Sequence, residues 1–171
     1  MRFCVLTVSD SSFKSPSLDI SGPLLIELLL NSSKFNEKAQ LIDYSIVPDD
    51  RKLISNYLRS NKSKSDCIMT TGGTGFAKRD VTPEATKEVI ERECPGIVTS
   101  LLVGGLRSTP FAALTRLAAG TADNCLIINL PGSPKAVREG FDILEEVLPH
   151  AISLLNDDYN EINMTHKDIS R

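Results

Sequence analysis

Short apolar segments of β-type residues alternate along this chain with segments that have a helical spacing of apolar residues. The strand candidates are Phe3–Val8, Gln40–Val47, Cys67–Thr71 and Cys125–Leu130. Three of them are nearly continuous apolar runs, which is typical of strands that helices cover on both faces. Gln40–Val47 alternates more and is the best candidate for an edge strand. This order of strands and helices predicts a mainly parallel sheet with right-handed crossovers.

Residues that favour helix starts precede the predicted helices. Ser21 and Thr82 are expected to be N-caps, and Ser133 is expected to begin a long helix. Pro149 should kink or split that last helix because it cannot donate a backbone hydrogen bond. The predicted helices cover 24–30, 51–59, 82–92, 97–106 and a long segment that begins at 134.

Length and composition indicate one globular domain. We expect that domain over residues 1–156 of the 171, followed by a polar C-terminal tail over 157–171. A net charge of −3 and an aromatic content of 5% without Trp argue against nucleic-acid binding. No segment is apolar over the length of a membrane span, so we expect no membrane association.

Cysteine usage indicates a reducing compartment. Cys4, Cys67 and Cys125 lie inside strand candidates, and no CxxC pattern occurs. We therefore interpret the cysteines as structural thiols of a cytoplasmic protein, and a zinc site is not expected.

A glycine-rich loop follows the third predicted strand, with Gly72, Gly73 and Gly75 in four positions. Without Cβ atoms, such a loop lets its backbone N–H groups approach an anion. Two cations, the carboxylate of Asp80 and a predicted helix start follow within about a dozen residues, a combination that suits a phosphorylated ligand with Mg²⁺. A plain tight turn is the alternative, because the segment is neither a P-loop nor a GxGxxG motif.

Polar and small residues follow the carboxyl ends of all the predicted strands. These clusters are Thr7–Asp10, Val47–Asp50, Thr71–Gly75 and Asn129–Pro134. Open α/β sheets bind ligands beyond the carboxyl ends of their parallel strands. We therefore expect the clusters to form one site.

Seven segments of the chain match the motifs of one known family: TVSD (Thr7–Asp10), DISGP (Asp19–Pro23), VPDD (Val47–Asp50), TTGGTGFAKRDVTPEAT (Thr70–Thr86), ECPG (Glu93–Gly96), TPFAALTRLAAG (Thr109–Gly120) and INLPGSPKAV (Ile128–Val137). Through these segments the chain resembles the molybdopterin adenylyltransferase family of molybdenum cofactor synthesis. The resemblance implies a three-layer, Rossmann-like α/β fold with helices on both faces of a mostly parallel sheet, assembled as a homotrimer. It also implies that AMP passes from ATP to molybdopterin, giving adenylyl-molybdopterin and pyrophosphate. Molybdenum insertion would then require a separate MoeA-like protein.

The same resemblance assigns the two catalytic carboxylates to Asp49 and Asp80, which would hold Mg²⁺ and handle the nucleotide phosphates. The structural alternatives are a helix N-cap for Asp49 and a surface charge for Asp80, and an exchange of roles between Asp49 and Asp50 stays open. Ser9 and Asp10 resemble pocket residues of the family, with turn formation at a strand end as their alternative.

A larger set of nucleotide- or molybdopterin-binding residues is also implied: Ser9, Asp10, Gly72, Gly73, Thr74, Gly75, Phe76, Thr115, Arg116, Pro131, Gly132 and Ser133. The glycine loop and the helix start at Gly132 and Ser133 would bind through backbone amides. Three members have structural alternatives: Ser133 as an N-cap, Arg116 in an ion pair and Phe76 in the core. Thr115 departs from the family pattern, because many relatives have Ser there.

Two other functions stay open at the level of sequence. A non-catalytic molybdopterin carrier or scaffold subunit would bind the pterin without turning over ATP. A nucleotide-binding protein outside this pathway would bind a different phosphorylated ligand. The presence of both Asp49 and Asp80 favours the enzyme, because a carrier does not need them.

Overall fold

Six strands in one sheet and seven α-helices occupy residues 1–35 and 39–157, which the computed structural model describes. The strands are β1 (Arg2–Val8), β2 (Gln40–Val47), β3 (Cys67–Thr71), β4 (Arg92–Glu93), β5 (Ala119–Ala122) and β6 (Cys125–Leu130). The helices are α1 (Asp10–Lys14), α2 (Ser21–Asn31), α3 (Arg51–Asn61), α4 (Thr82–Lys87), α5 (Pro95–Ser108), α6 (Pro134–Leu144) and α7 (Leu148–Leu155).

The sheet has the strand order β2-β1-β3-β6-β5-β4. The strands β2, β1, β3 and β6 are parallel, and they are the strands that the sequence predicts, with β2 at the edge as expected. Sequence reasoning missed β4 and β5, which add antiparallel to the far edge. Both are short, and β5 reads Ala-Gly-Thr-Ala, so neither carries the run of large apolar residues that marks a strand.

Hydrophobic side chains form one core on each face of the sheet. Alternate residues of β1 point to the two faces: Phe3 and Val5 pack with α2, α6 and α7, whereas Cys4 and Leu6 pack with α3 and α4. The expected three-layer, mostly parallel α/β fold is thereby confirmed. Within the described ranges, no helix is both long enough and apolar enough to cross a membrane.

Two of the predicted N-caps are wrong, because both side chains bind other loops. The hydroxyl of Ser21 donates to the carbonyl oxygen of Gly132 at 2.8 Å. The hydroxyl of Thr82 donates to the carbonyl oxygen of Gly72 at 2.9 Å, and α4 ends at Lys87 rather than near 92. Each contact ties a helix start to a loop at the carboxyl edge of the sheet.

The start and the break of the last long helical segment are as predicted. Ser133 is the N-cap of α6, and its Oγ accepts from the amide of Ala136 at 3.2 Å. The segment divides into α6 and α7 just before Pro149. The expected polar tail lies outside the described residues, apart from Asp157.

Candidate functional site

A cleft of about 350 Å³ lies beyond the carboxyl ends of the parallel strands. Parallel strands bring their carboxyl ends to one edge of a sheet, so residues from distant loops meet there. The strand-end clusters all contribute to its lining, as expected. Six of the predicted site residues line it: Ser9, Asp49, Gly72, Gly73, Asp80 and Gly132.

The two neighbouring carboxylates after β2 have different roles. Asp50 caps α3, because its Oδ1 accepts from the amides of Lys52 and Leu53 at 2.9 and 3.0 Å. Asp49 lines the cleft instead; its Oδ2 accepts from the amide of Asp10 at 2.9 Å, and its own amide donates to Asp10 Oδ1 at 3.2 Å. The N-cap alternative therefore applies to Asp50 and not to Asp49.

Negative charge is concentrated around Asp49. Burial raises the pKa of Asp49, and the negative charges of Asp10 and Asp80 raise it further. Arg79 donates to Asp10 Oδ2 through Nε at 2.9 Å and to Oδ1 through Nη2 at 2.6 Å, and this pairing lowers the pKa of Asp10. Because ionised Asp49 is disfavoured by its neighbours, a cation placed beside it would relieve the repulsion.

The glycine loop approaches the end of β1 too closely for side chains. Gly72 and Gly73 have left-handed φ values of 96° and 63°. A Cβ at Gly72 would lie 2.2 Å from the carbonyl oxygen of Val8, and one at Gly73 would lie 2.3 Å from Thr82 Oγ1 and 3.1 Å from Asp49 Oδ1. Glycine at these positions is therefore what brings the loop backbone up to Asp49.

Asp80 is held by a tight turn of the same loop. Its Oδ2 accepts from the amide of Ala77 at 2.9 Å, and its own amide donates to the Ala77 carbonyl oxygen at 2.9 Å. The carboxylate also lies over Gly75, where a Cβ would be 2.8 Å from Oδ2. Asp80 is half-buried in the wall of the cleft, which differs from the surface-charge alternative.

The side chain of Arg116 holds the glycine loop through hydrogen bonds to its carbonyl oxygens. Its Nε donates to the Gly75 carbonyl oxygen at 2.8 Å and its Nη2 donates to the Asp80 carbonyl oxygen at 2.5 Å, while Nη1 pairs with Glu84. Its amide also donates to the Thr74 carbonyl oxygen at 2.8 Å. The guanidinium group is thus engaged by protein groups, in line with the ion-pair alternative for this residue.

Several predicted ligand-binding residues lie outside the lining of the cleft. Phe76 is 66% exposed on an open side of the loop, so the core alternative does not apply to it, and its contact with a ligand stays a prediction. Thr115, Pro131 and Ser133 line a separate apolar groove of about 200 Å³ beside α5 and α6, and the Thr115 hydroxyl lies 3.1 Å from that of Thr74. Their direct contact with a ligand stays a prediction.

Sequence reasoning missed the part of the cleft beside α2. Thr7 and Asp19 form its buried wall, and Leu18 and Ile20 are exposed at its mouth. Both polar residues belong to motifs that carry the family resemblance, TVSD and DISGP. The presence of Thr7 and Asp19 in these motifs could have indicated a role in the site. A motif does not say, however, which of its side chains face the cleft.

Asp49 and Asp80 fit a Mg²⁺ ion that arrives with a phosphorylated ligand. Among the residues that the structure describes, no group of three or more His, Cys, Asp and Glu side chains could hold a metal. Mg²⁺ does not need such a cage, because it usually keeps several waters and binds one or two carboxylates plus substrate phosphates. In each carboxylate Oδ2 accepts from a backbone amide, so Oδ1 is available for an ion.

Comparison with known proteins agrees with the geometry. Residues 4–150 match the family described as probable molybdopterin binding domain. The molybdenum cofactor synthesis protein cinnamon of Drosophila melanogaster is 43% identical over 99% of this chain, which spans 28% of cinnamon. A molybdopterin adenylyltransferase of Helicobacter pylori is 38% identical over 93% of this chain and 90% of its own length.

Solved structures show the same fold. The molybdopterin biosynthesis enzyme MoaB of Thermus thermophilus superposes with a TM-score of 0.81 and is 42% identical, covering 90% of this chain and 95% of its own. The match of the family model over most of the chain, together with this superposition, fixes the relationship. This chain belongs to the molybdopterin-binding domain family and has the fold of the MoaB proteins.

Proposed function

We propose that the protein is a Mg²⁺-dependent molybdopterin adenylyltransferase, which transfers AMP from ATP to molybdopterin and releases pyrophosphate. The observation that carries this proposal is the placement of Asp49 and Asp80 on either side of the glycine loop in one cleft. Membership of the molybdopterin-binding family supports it, as does the name of the Helicobacter pylori relative.

The chemistry of such a transfer fits these residues. The terminal phosphate of molybdopterin attacks the α-phosphate of ATP, so both reactants are anionic, and catalysis consists mainly of positioning and charge neutralisation. The amide of Gly73 and the N-terminus of α6 provide donors for phosphate oxygens, whereas the Gly72 amide donates to the Leu130 carbonyl oxygen at 3.2 Å. Asp49 and Asp80 would hold Mg²⁺, which when bound neutralises charge on the nucleotide phosphates.

The direct test is pyrophosphate release by purified protein supplied with molybdopterin, ATP and Mg²⁺. We expect turnover for the wild-type protein and a loss of at least about 100-fold for Asp80→Asn. Asp142→Asn, on the exposed surface of α6, should retain full activity. Binding of molybdopterin without pyrophosphate release, together with indifference to Asp80→Asn, would instead establish a non-catalytic carrier.

We also propose a homotrimer that passes its product to a separate MoeA-like molybdenum-insertion protein in the cytoplasm. Large apolar side chains on α5 and the turn after it support assembly, because they are 45–74% exposed: Val103, Leu106, Phe111 and Leu114. All four cysteines are free thiols and three are buried, which is typical of a reducing compartment.

A further inference from the structure

Four successive carbonyl oxygens of the glycine loop, those of residues 72–75, all accept hydrogen bonds from the protein. Thr82 donates to the first two: its hydroxyl binds the Gly72 carbonyl oxygen at 2.9 Å, and its amide binds that of Gly73 at 3.0 Å. Arg116 donates to the other two through its amide and its Nε, each at 2.8 Å. Two residues therefore set the orientation of all these peptide groups.

The amides that belong to the same peptide groups have no partner in the described part of the protein. No described residue accepts a hydrogen bond from the backbone N–H groups of residues 73–76. The peptide bonds of the loop are trans, so each N–H group points opposite to the carbonyl group before it. Each carbonyl oxygen that the protein binds therefore fixes the direction of the next amide.

The first two of these amides point away from the protein interior. Thr82 is 0% exposed and lies behind the loop, whereas Gly72 and Gly73 line the cleft. The left-handed φ values of both glycines let their carbonyl oxygens turn to the same residue. The amides of Gly73 and Thr74 then share the opposite side. Adjacent N–H groups on one side form a nest, an arrangement that binds phosphate oxygens.

The helix α4 does not account for the Thr82 hydroxyl. Thr82 is the first residue of α4, and Val81 is the N-cap without a side-chain hydrogen bond. A capping hydroxyl accepts from helix amides, whereas this hydroxyl donates to the loop. Valine has nearly the same shape but no donor, so it would leave the buried carbonyl oxygen of Gly72 without its partner.

We propose that Thr82 is a positioning residue for phosphate binding, because its two hydrogen bonds turn the amides of Gly73 and Thr74 toward the cleft. The source of the phosphate group, nucleotide or pterin, rests on the proposed function. The orientation of the amides rests on the hydrogen bonds of the loop alone. Thr82 does not contact the ligand and acts through the loop backbone.

The test measures the binding of inorganic pyrophosphate and of methyl phosphate by titration calorimetry at a fixed Mg²⁺ concentration. Pyrophosphate represents the phosphate chain of the nucleotide, and methyl phosphate represents the terminal phosphate of molybdopterin. We expect Thr82→Val to weaken the binding of at least one probe about 10-fold or more. Thr82→Ser keeps the hydroxyl and should stay within about threefold of the wild-type affinity. The probe that loses more affinity identifies the phosphate that the nest binds.

Thr86→Val is the matched control for stability. The Thr86 hydroxyl is also fully buried on α4, but it accepts from Asn129 Nδ2 at 2.8 Å instead of binding the loop. We expect both valine variants to lower the melting temperature and only Thr82→Val to lose probe affinity. Equal losses of affinity in the two variants, or unchanged binding of both probes by Thr82→Val, would overturn the inference.

Nuclear magnetic resonance of the wild-type protein tests the amides directly, and it decides the question if Thr82→Val does not fold. We expect the amide proton resonances of Gly73 and Thr74 to move downfield when a probe is added, because these groups donate to the anion. Unchanged resonances, or no binding of either probe, would overturn the inference. The experiments contain neither ATP nor molybdopterin, so their result is independent of whether the protein catalyses adenylyl transfer.

Discussion

At the scale of single residues, Asp49 is placed where its charge is unfavourable. Burial and the charges of Asp10 and Asp80 raise its pKa above the ordinary value of 3.8. An acid whose pKa is higher in the folded state loses stability as the pH rises from the unfolded pKa through the folded one, and this cost is complete at neutral pH. We interpret this cost as a reason for Asp49 to bind a cation, because a bound cation would offset the repulsion from Asp10 and Asp80.

Replacement of Asp49 should therefore separate stability from activity. We expect Asp49→Asn to raise the melting temperature by about 1–3 °C at pH 7.5, because the unfavourable charge is gone. The gain should shrink as the pH falls below the unfolded pKa of 3.8, because Asp49 then becomes protonated in both states, and pyrophosphate release should be lost at every pH. Thermal melts at pH 7.5 and at a pH about one unit below 3.8 check this. Asp50→Asn is the control, because Asn caps a helix as well as Asp does; a lower melting temperature for Asp49→Asn at pH 7.5 would contradict the interpretation.

Arg116 acts on the site through the loop that it holds. Arg116→Ala removes the contacts to the carbonyl oxygens of Gly75 and Asp80, so we expect faster amide exchange over 75–80. The apparent Mg²⁺ requirement should rise about 10-fold or more, since Asp80 loses its fixed position. Hydrogen exchange read by mass spectrometry, with Arg138→Ala on the exposed face of α6 as control, measures the first effect. Unchanged exchange with lost ATP binding would indicate direct phosphate contact instead.

At the scale of elements, the glycine loop is set by its contact with the end of β1. A side chain at Gly72 would meet the Val8 carbonyl oxygen and would also have to adopt a left-handed backbone conformation. The loop conformation therefore depends on the spacing between β1 and β3, which is fixed by their ladder of hydrogen bonds. Loop and sheet form one structural unit.

Substitution in this unit should cost both stability and function. We expect Gly72→Ala to lower the free energy of unfolding by about 2–4 kcal/mol, because the backbone conformation is strained and β1 must move. Urea denaturation measures this. Gly96→Ala is the control: a Cβ at Gly96, near the start of α5, has no neighbour within 4 Å, so that variant should be neutral or slightly stabilising. Equal effects of the two substitutions would rule out the close approach as the reason for glycine.

Local pattern predicts these elements only in part. The parallel strands are long and apolar, so their existence and bounds follow from composition and periodicity. The strand β4 depends on hydrogen bonds to β5, which is distant from it in the chain, so no local window contains that pairing. The strand β5 forms a hairpin with β6 across Asp123 and Asn124, and it was missed because its small residues, Ala-Gly-Thr-Ala, do not mark a strand. The predicted caps Ser21 and Thr82 failed because the folded chain offers each hydroxyl a carbonyl oxygen in another loop, that of Gly132 for Ser21 and that of Gly72 for Thr82.

At the scale of the whole molecule, exposed apolar surface on α5 and the following turn is the feature that a monomer does not explain. Phe111 is 74% exposed there, and large exposed apolar groups commonly mark interfaces. If the homotrimer uses this face, light scattering should give three times the chain mass of 18.7 kDa. Phe111→Glu should weaken association by at least about 30-fold. Phe13→Glu, which changes a phenylalanine that is 53% exposed on α1, should not affect assembly; a monomeric wild-type protein would refute the trimer.

The amino-acid sequence by itself determines the parallel strands, the edge position of β2, the glycine loop and the meeting of strand-end clusters at one edge of a sheet. These features follow from local periodicity and from the rule that parallel strands align their carboxyl ends. The tertiary structure decides which side chains face the cleft. Asp49 and Asp50 are neighbours with the same chemistry. Contacts with Asp10 and the glycine loop place Asp49 in the cleft, whereas Asp50 caps α3. Thr7 and Asp19 form a buried wall of the cleft because the start of α2 packs against the end of β1, a contact that sequence spacing does not specify.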